Sequence, residues 1–413
     1  MIRRALGWLG TALLFALVAV SFAPTLVPPF LDRIYYRGPV SDHFDGRRFF
    51  NPGTPEPPRL DPSRFLNRWL RGERAVWPER APVTPTVPPR DVAGDKMRVT
   101  WIGHSTVLVQ VRGLNILTDP IWAERASPFA FAGPRRVRAP GVRFEDLPRI
   151  GLVVVSHNHY DHLDLETLKR LWARDRPLIV TSLGNDSILR GEGIEAVALD
   201  WGQTHLVQRP DGQVQMTSEC APDAGRWCLT ELAVTVLRNH HWGARWGADR
   251  NRALWSAFSI QTPQGNIFFA GDTGWGDGSW VREAARAGPY RLAIVPIGAY
   301  LPRDVMQNSH VSPEEALAMV RILDPRVALA VHWGTFQLSF EGMDQPAEEL
   351  RALLRRQGLP PGRFLTPAVG QPFSVPVEAT AVAAPSAGAG SSAASPSAPS
   401  RRPPTGPATV GPR

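Results

Sequence analysis

Leu152-Val153-Val154-Val155 runs without a break into Ser156-His157-Asn158-His159-Tyr160-Asp161-His162-Leu163-Asp164. Four apolar residues in a row read as a buried strand, and the polar run after them as the turn at its end. Side chains two apart on extended backbone share a face, so His157 and His159 aim the same way. Asp161 and His162 then fall on the turn into the next helix, where they can face a second ion. Imidazole and carboxylate without thiolate suit Zn²⁺, and iron or manganese accept the same set. The chain has ten histidines in 413 residues, so three of them with an aspartate inside six positions is a ligand pattern rather than an ordinary polar loop.

Three other segments carry the same residue types at the ends of apolar runs. Asn239-His240-His241-Trp242 follows Val236-Leu237, Asp272 sits in the turn Phe269-Ala270-Gly271-Asp272-Thr273-Gly274, and His332 follows Ala328-Leu329-Ala330-Val331. One strand-end histidine is usually a residue satisfied by nearby backbone. Three such sites beside the first run supply what two metals roughly 3.5–4 Å apart require, including a bridging carboxylate. Asp272 is the natural bridge.

Outward from these motifs, short apolar runs alternate with amphipathic stretches across residues 96–375. Strands are expected at Met97–Ile102, Thr106–Val111, Asn115–Leu117, Leu152–Val155, Leu178–Val180, Leu232–Leu237, Ala257–Gln261, Ile267–Phe269, Leu292–Val295 and Val327–Val331. Helices are expected at Leu165–Ala173, Trp280–Ala287, Pro313–Ile322 and Pro346–Gln357. The third is the best signalled, with Ser312 as N-cap, Pro313 at N1 and two acids in the first turn. Hairpins come first and β-helix alternation later, which points to stacked sheets with helices outside. Residues 32–95, rich in Pro and Arg, read as an ordered but irregular arm over this domain, with a helix-like patch near Phe65–Leu70. Residues 376–413 are dominated by Ala, Ser, Pro and Gly with almost no large apolar side chain, a composition that does not fold.

A net charge of +8 would fit a nucleic-acid binder, but Lys96 and Lys169 are the only lysines and the arginines are scattered. A nucleic-acid surface would cluster them in a stripe, so no nucleic-acid partner is expected. Arg3 and Arg4 precede an uncharged, mostly apolar stretch that reaches Ala23, long enough for a bilayer crossing of roughly 20 residues. The first 31 residues therefore read as a transmembrane anchor or a signal segment, with the lack of a good cleavage site favouring the anchor. Positive charge before it would leave the domain outside the cytoplasm, on a periplasmic or extracellular face. There Cys220 and Cys228 would be able to pair, although two free thiols read equally well.

The hexad, the later Gly271-Asp272-Thr273-Gly274 and the His332-Trp333-Gly334-Thr335 block resemble the metallo-β-lactamase superfamily. Further blocks are similar to its N-acylphosphatidylethanolamine-hydrolysing phospholipase D family. They are Trp101-Ile-Gly-His104-Ser-Thr106, Leu117-Thr-Asp119-Pro120-Ile121, Arg125-Ala-Ser-Pro128, Gly133-Pro-Arg135-Arg136, Pro296-Ile-Gly-Ala-Tyr300 and His310-Val-Ser-Pro-Glu-Glu315. The resemblance implies an α+β, four-layer αββα sandwich with two Zn²⁺ at one edge. It assigns His157, His159 and His241 to one metal and Asp161, His162 and His332 to the other, with Asp272 shared. His241 is preferred to His240 because the family's ligand directly precedes a tryptophan. Asp161, Asp272 and His310 would be catalytic, and Tyr160, Tyr300 and His310 would meet the substrate. Asp119 is expected to hold a ligand histidine from behind, and His104 need not touch metal.

The implied reaction is attack of metal-activated water on phosphorus of N-acylphosphatidylethanolamine, giving N-acylethanolamine and phosphatidic acid. A phospholipid and a membrane are then the partners, with no obligate protein partner. Trp122, Phe129, Phe131, Trp242 and Trp246 read equally as aromatics at headgroup level or as core packing, and Arg135, Arg136 and Arg138 as a cluster attracting anionic lipid or, more commonly, a solvated basic turn. The segment from Thr204 to Leu229 reads as an insertion at the pocket mouth. Two other readings stay open: a hydrolase of the same fold acting on a lactone or another phosphodiester, and an anchored, non-catalytic interaction protein.

Overall fold

Among the described residues, fourteen strands pair into two sheets with mirrored designs. The computed structural model describes residues 33–53, 67–207, 232–246 and 248–377, with Thr11, Ala12 and Leu14. The rest of the apolar N-terminal stretch, both cysteines and the tail beyond Val377 lie outside the described residues. Among the described residues no helix is long and apolar enough to cross a membrane.

The first sheet holds β1 (Met97–Gly103), β2 (Thr106–Val111), β3 (Leu114–Thr118), β4 (Leu152–Val155), β5 (Leu178–Ser182) and β6 (Val197–Leu199). The second holds β7 (Thr204–Val207), β8 (Leu232–Leu237), β9 (Ala257–Gln261), β10 (Asn266–Phe269), β11 (Tyr290–Pro296), β12 (Val327–Val331) and β13 (Phe364–Leu365). The last strand, β14 (Pro372–Val375), returns to the first sheet, whose order is β14-β1-β2-β3-β4-β5-β6. The second runs β13-β12-β11-β10-β9-β8-β7. Pairing is antiparallel from β14 to β3 and from β10 to β7, and parallel from β3 to β6 and from β10 to β13.

Strand alternation sorts the side chains. Leu152 and Val154 join a core with Val234, Val236 and Phe258 of the other sheet, while Val153 and Val155 join a second cluster with Leu168 and Leu171. Those leucines belong to α1 (Leu165–Asp175), which with Leu189 of α2 (Asn185–Arg190) covers the outer face of the first sheet. On the other side α3 (Ser279–Ala285), α5 (Pro313–Leu323) and α6 (Gln345–Arg356) contribute Val281, Met319 and Leu350 to the larger core. A short α4 (Arg303–Met306) lies between β11 and α5. The layers are therefore helices, sheet, sheet, helices. Each fully buried large aliphatic side chain contributes about 1.5–3 kcal/mol, and both faces of β4 and β12 are filled.

One expectation is corrected here. The segment from Thr204 is not wholly an insertion, because Thr204–Val207 pairs antiparallel with β8 as an edge strand. Its half-exposed, mixed-polarity residues hid it. Residues 208–231 lie outside the described residues.

Candidate metal centre

Hydrogen bonds fix the β4 turn before any ligand chemistry begins. Asp164 caps α1, accepting from the backbone N–H groups of Glu166 and Thr167, and takes those of Trp122 and Ala123 at 3.2 and 3.1 Å. Asp119, fully buried, accepts from Ser156 N at 2.7 Å and from Ser156 Oγ at 2.6 Å. The same carboxylate lies 2.6 Å from Nδ1 of His162, so the ring's N–H is held and its Nε2 faces inward.

Gly271 makes the neighbouring turn possible. Its φ is +60°, and a Cβ there would stand 2.7 Å from the Ser156 Cβ and 2.8 Å from the Ser256 carbonyl. Only glycine tolerates that approach, which brings Asp272 against the β4 turn. At the end of β12, His332 adopts φ 64° and at the end of β1 His104 adopts φ 52°. The two turns latch: His332 N–H donates to the His104 carbonyl at 3.0 Å, and His104 N–H to Thr335 Oγ1 at 2.8 Å. Left-handed backbone at a non-glycine residue costs on the order of 1 kcal/mol or more, a cost concentrated here on two histidines facing the same space.

The side chains converge in two halves. Nε2 of His157 is 2.8 Å from Nδ1 of His159, which is 3.4 Å from Nε2 of His241. In the other half, Oδ2 of Asp161 is 3.3 Å from Nε2 of His162 and 3.5 Å from Nε2 of His332. Oδ2 of Asp272 stands between them, 3.1 Å from His162, 3.0 Å from His332 and 4.0 Å from His241. All seven ligand candidates therefore meet at one place. His240 faces away, its Nδ1 3.0 Å from the Asn308 carbonyl.

Charge divides the halves as well. Burial and the neighbouring imidazoles hold His157 well below the usual histidine range, and burial takes His159 down to about 3. Burial also pulls on His162 and His332, but the carboxylates outweigh it, holding His162 well above its range and His332 at about 9. Asp161 and Asp272 lie well below the carboxylate range, since the imidazoles outweigh their burial. Nε2 of His162, Nε2 of His332 and Oδ1 of Asp272 are buried without a hydrogen-bond partner. Each such orphan costs about 1–3 kcal/mol. A donor set of imidazoles and carboxylates with unpaired atoms turned inward fits a divalent metal.

His310 borders the cluster, its Nδ1 3.9 Å from Oδ2 of Asp272. Its loop is pinned by Arg303, which donates to the His310 carbonyl at 2.9 Å and to Glu315 at 2.8 Å. Glu315 in turn closes a capping box with Ser312 at the start of α5. Tyr160 is half-buried under the Arg245 guanidinium, 3.9 Å from the ring centre. With Arg33, Arg125, Lys169 and Trp246 it lines a cavity of about 480 Å³. Tyr300 is buried, and burial together with Glu349 of α6 pushes its hydroxyl up, so it is a packed side chain beside that helix.

His104 enters the cluster without having been foreseen as a contact. Its Nε2 lies 2.8 Å from Oδ2 of Asp161, and it groups with Asp161, His162 and His332. The signal in the sequence was a histidine at the end of an apolar run after a glycine. Expectations about two residues of the basic turn are corrected, while Arg135 is exposed: Arg136 is 2% exposed, donating to the Ala123 and Ile121 carbonyls, and Arg138 pairs with Asp344 at 2.6 Å. Their partners are mainly backbone oxygens, which sequence does not reveal. Phe129, Phe131 and Trp246 are exposed, whereas Trp122 is part-buried on Phe144 and Trp242 packs on His159.

The β-lactamase superfamily domain model matches residues 114–333. N-acyl-phosphatidylethanolamine-hydrolyzing phospholipase D 1 of Caenorhabditis elegans is 33% identical over 302 residues, covering 69% of this chain and 80% of the nematode protein. The mitochondrial enzyme of that name from Saccharomyces cerevisiae is 34% identical over 258 residues, covering 62% of this chain and 51% of the yeast protein. Among solved structures, the isothiocyanate hydrolase from Delia radicum gut bacteria aligns with a TM-score of 0.50 at 22% identity, over 67% of this chain and 100% of that one, and so shares the fold. With its mirrored sheets and the ligand run at the end of β4, the chain belongs to the metallo-β-lactamase superfamily, as a metal-dependent hydrolase of the N-acylphosphatidylethanolamine phospholipase D-like family.

Proposed function

We propose that the chain hydrolyses N-acylphosphatidylethanolamine at the phosphodiester bond on the ethanolamine side, releasing N-acylethanolamine and leaving phosphatidic acid. The observation that carries this reading is the coincidence of a complete two-half cluster with relatives named for that reaction at 33% and 34% identity. His157, His159 and His241 would hold one ion and Asp161, His162 and His332 the other, with Asp272 touching both. Zinc is the proposed metal, and iron or manganese suit the same donors. When bound, such a pair supplies a nucleophilic water at neutral pH and draws negative charge off the phosphoryl oxygens.

The chain's own residues do the remaining work. Asp161 and Asp272 gather positive charge at the floor of the site and orient what binds there. Burial holds His310 down at about 4, so it is a neutral ring able to donate one hydrogen bond to a phosphoryl or leaving oxygen. The cavity beside Tyr160 offers cationic side chains for a phosphate and glycerol region, while Phe129 and Phe131 offer apolar contact to a lipid. Tyr300, as a packed residue, would act only through the shape of the loop before α4. Tethering by the apolar N-terminal stretch, with the domain outside the cytoplasm, belongs to the same proposal and rests on Arg3 and Arg4 preceding that stretch.

Incubating metal-loaded protein with N-acylphosphatidylethanolamine and, separately, with plain phosphatidylethanolamine tests the assignment. Ethanolamide release with phosphatidic acid is expected from the first. Full metal occupancy without any ethanolamide would overturn the substrate while leaving the fold untouched.

A further inference from the structure

Among the proposed ligands, His241 is the one carried by the connection between β8 and β9. His157 and His332 directly follow or nearly follow the ends of β4 and β12, whereas His241 lies four residues past β8 in a long connection to β9. On the side away from the cluster, its ring is held by Nδ1 at 3.0 Å from the Ser309 carbonyl. The peptide before it is held within the matched domain, where Gly274 N–H donates to the His240 carbonyl at 2.7 Å and His240 N–H to Thr273 Oγ1 at 3.0 Å, but the carbonyl of His241 itself is held from outside that domain.

The irregular arm that precedes β1 supplies that hold. Nδ2 of Asn51 donates to the His241 carbonyl at 2.9 Å, and Oδ1 of Asn51 accepts from the Trp255 indole at 3.1 Å. On one side, Arg238 donates to the Pro52 carbonyl at 3.0 Å. On the other, Phe49 N–H donates to Asn251 at 2.8 Å, and the Arg48 side chain reaches the Ala248 and Arg250 carbonyls. Arg252 reaches back to the Arg47 carbonyl at 2.7 Å. Phe44 and Phe49 bury against Leu254 and Trp255 beneath this seam. The arm is thus stitched to the ligand connection before, at and after His241, and the stitch at His241 is a single carboxamide.

We propose that Asn51 is a positioning residue for the metal centre, fixing the backbone at His241 so that its imidazole meets His157 and His159. This rests on the reading of His241 as a ligand. A ligand whose support is lost typically binds metal about 10–100-fold more weakly, and here the ring keeps its bond to Ser309, so the lower end applies.

The test is zinc affinity of the full chain, measured by competition with a chromophoric chelator. Asn51→Ala is expected to weaken one of the two zinc sites about tenfold and leave the other unchanged. Asn51→Asp should do the same, because it keeps the oxygen that accepts from Trp255 but loses the donor to His241. Trp255→Phe removes only the other bond of Asn51 and should lower the melting temperature of the metal-free chain without changing zinc affinity. Wild-type affinity at both sites in both Asn51 variants would overturn the proposal, as would equal weakening by Trp255→Phe. His241→Ala separates the two readings: if it still binds two zinc ions normally, the ligand assignment itself is wrong.

Discussion

The two halves of the cluster are built from the same residue types by different means. The half with Asp161, His162 and His332 is supported from within, by Asp119 behind His162, His104 behind Asp161 and the latched turns of β1 and β12. Its charge is internal as well, since two carboxylates face its imidazoles. The half with His157, His159 and His241 has imidazoles alone, one of them half-buried under Trp242 and another braced by the arm. Rigidity is supplied to one half by central strands and to His159 and His241 of the other by loops that pack on them, while His157 leans on Ser156 Oγ at 2.8 Å just past β4. Asp272 alone belongs to both.

That contrast is broken most severely at the shared residue. Asp272→Asn keeps the shape and removes the charge, and turnover of a phosphodiester substrate should fall by at least about 10³-fold, the equivalent of several kcal/mol of charge stabilisation. Full activity in that variant would show that the halves do not act together. Cutting either half alone comes next. His332→Ala and His159→Ala should each bind one metal per chain in place of two, read by elemental analysis of the purified protein. If either variant lost both ions, the halves would not be separate units.

A smaller effect sharpens the comparison. His104→Ala leaves all seven proposed ligands in place but removes the nitrogen beside Asp161, and kcat should drop about 10–100-fold. His104→Gln, which restores a donor, should recover part of it; identical losses in the two variants would argue for packing rather than orientation.

The smallest effect concerns the arm. His43 is 6% exposed, stacked on Trp201 at 4.5 Å, and lies 2.6 Å from Asp42 and 2.7 Å from Asp200. Burial lowers its affinity for a proton, but the two carboxylates outweigh it and hold the ring above its ordinary value. A group raised on folding contributes its stability fully below its unfolded pKa of about 6.5 and loses it as pH climbs through the folded value. Because Asp42 is exposed, this contribution is about 1 kcal/mol at most. The melting temperature of wild type should therefore fall toward that of His43→Gln as pH rises above neutrality. A gap between the two that stays constant with pH would contradict it.

Legibility in the sequence followed burial. The strands β2, β4, β8, β9 and β12 coincide with their apolar runs because most of their residues are buried, and in β4 and β12 both faces are covered and every residue is apolar. β6 and β7 are short, half-exposed edges, and β13 has two residues, so none carries a periodic signal. The seven ligand candidates were legible because each lies in a polar turn or connection that follows an apolar strand run. His104 obeys the same rule, but nothing in the chain says that residues 104 and 161 meet. Arg136 and Asn51 were opaque for another reason. Their partners are backbone carbonyls, and a carbonyl has no letter in the sequence.

The central claim is that this cluster directs water to phosphorus. Turnover of N-acylphosphatidylethanolamine by the metal-loaded protein in ¹⁸O-enriched water, read by mass spectrometry, tests it directly. The label should appear in the phosphate of phosphatidic acid, with none in the released N-acylethanolamine. Label in a free fatty acid, or no turnover at full metal occupancy, would contradict it.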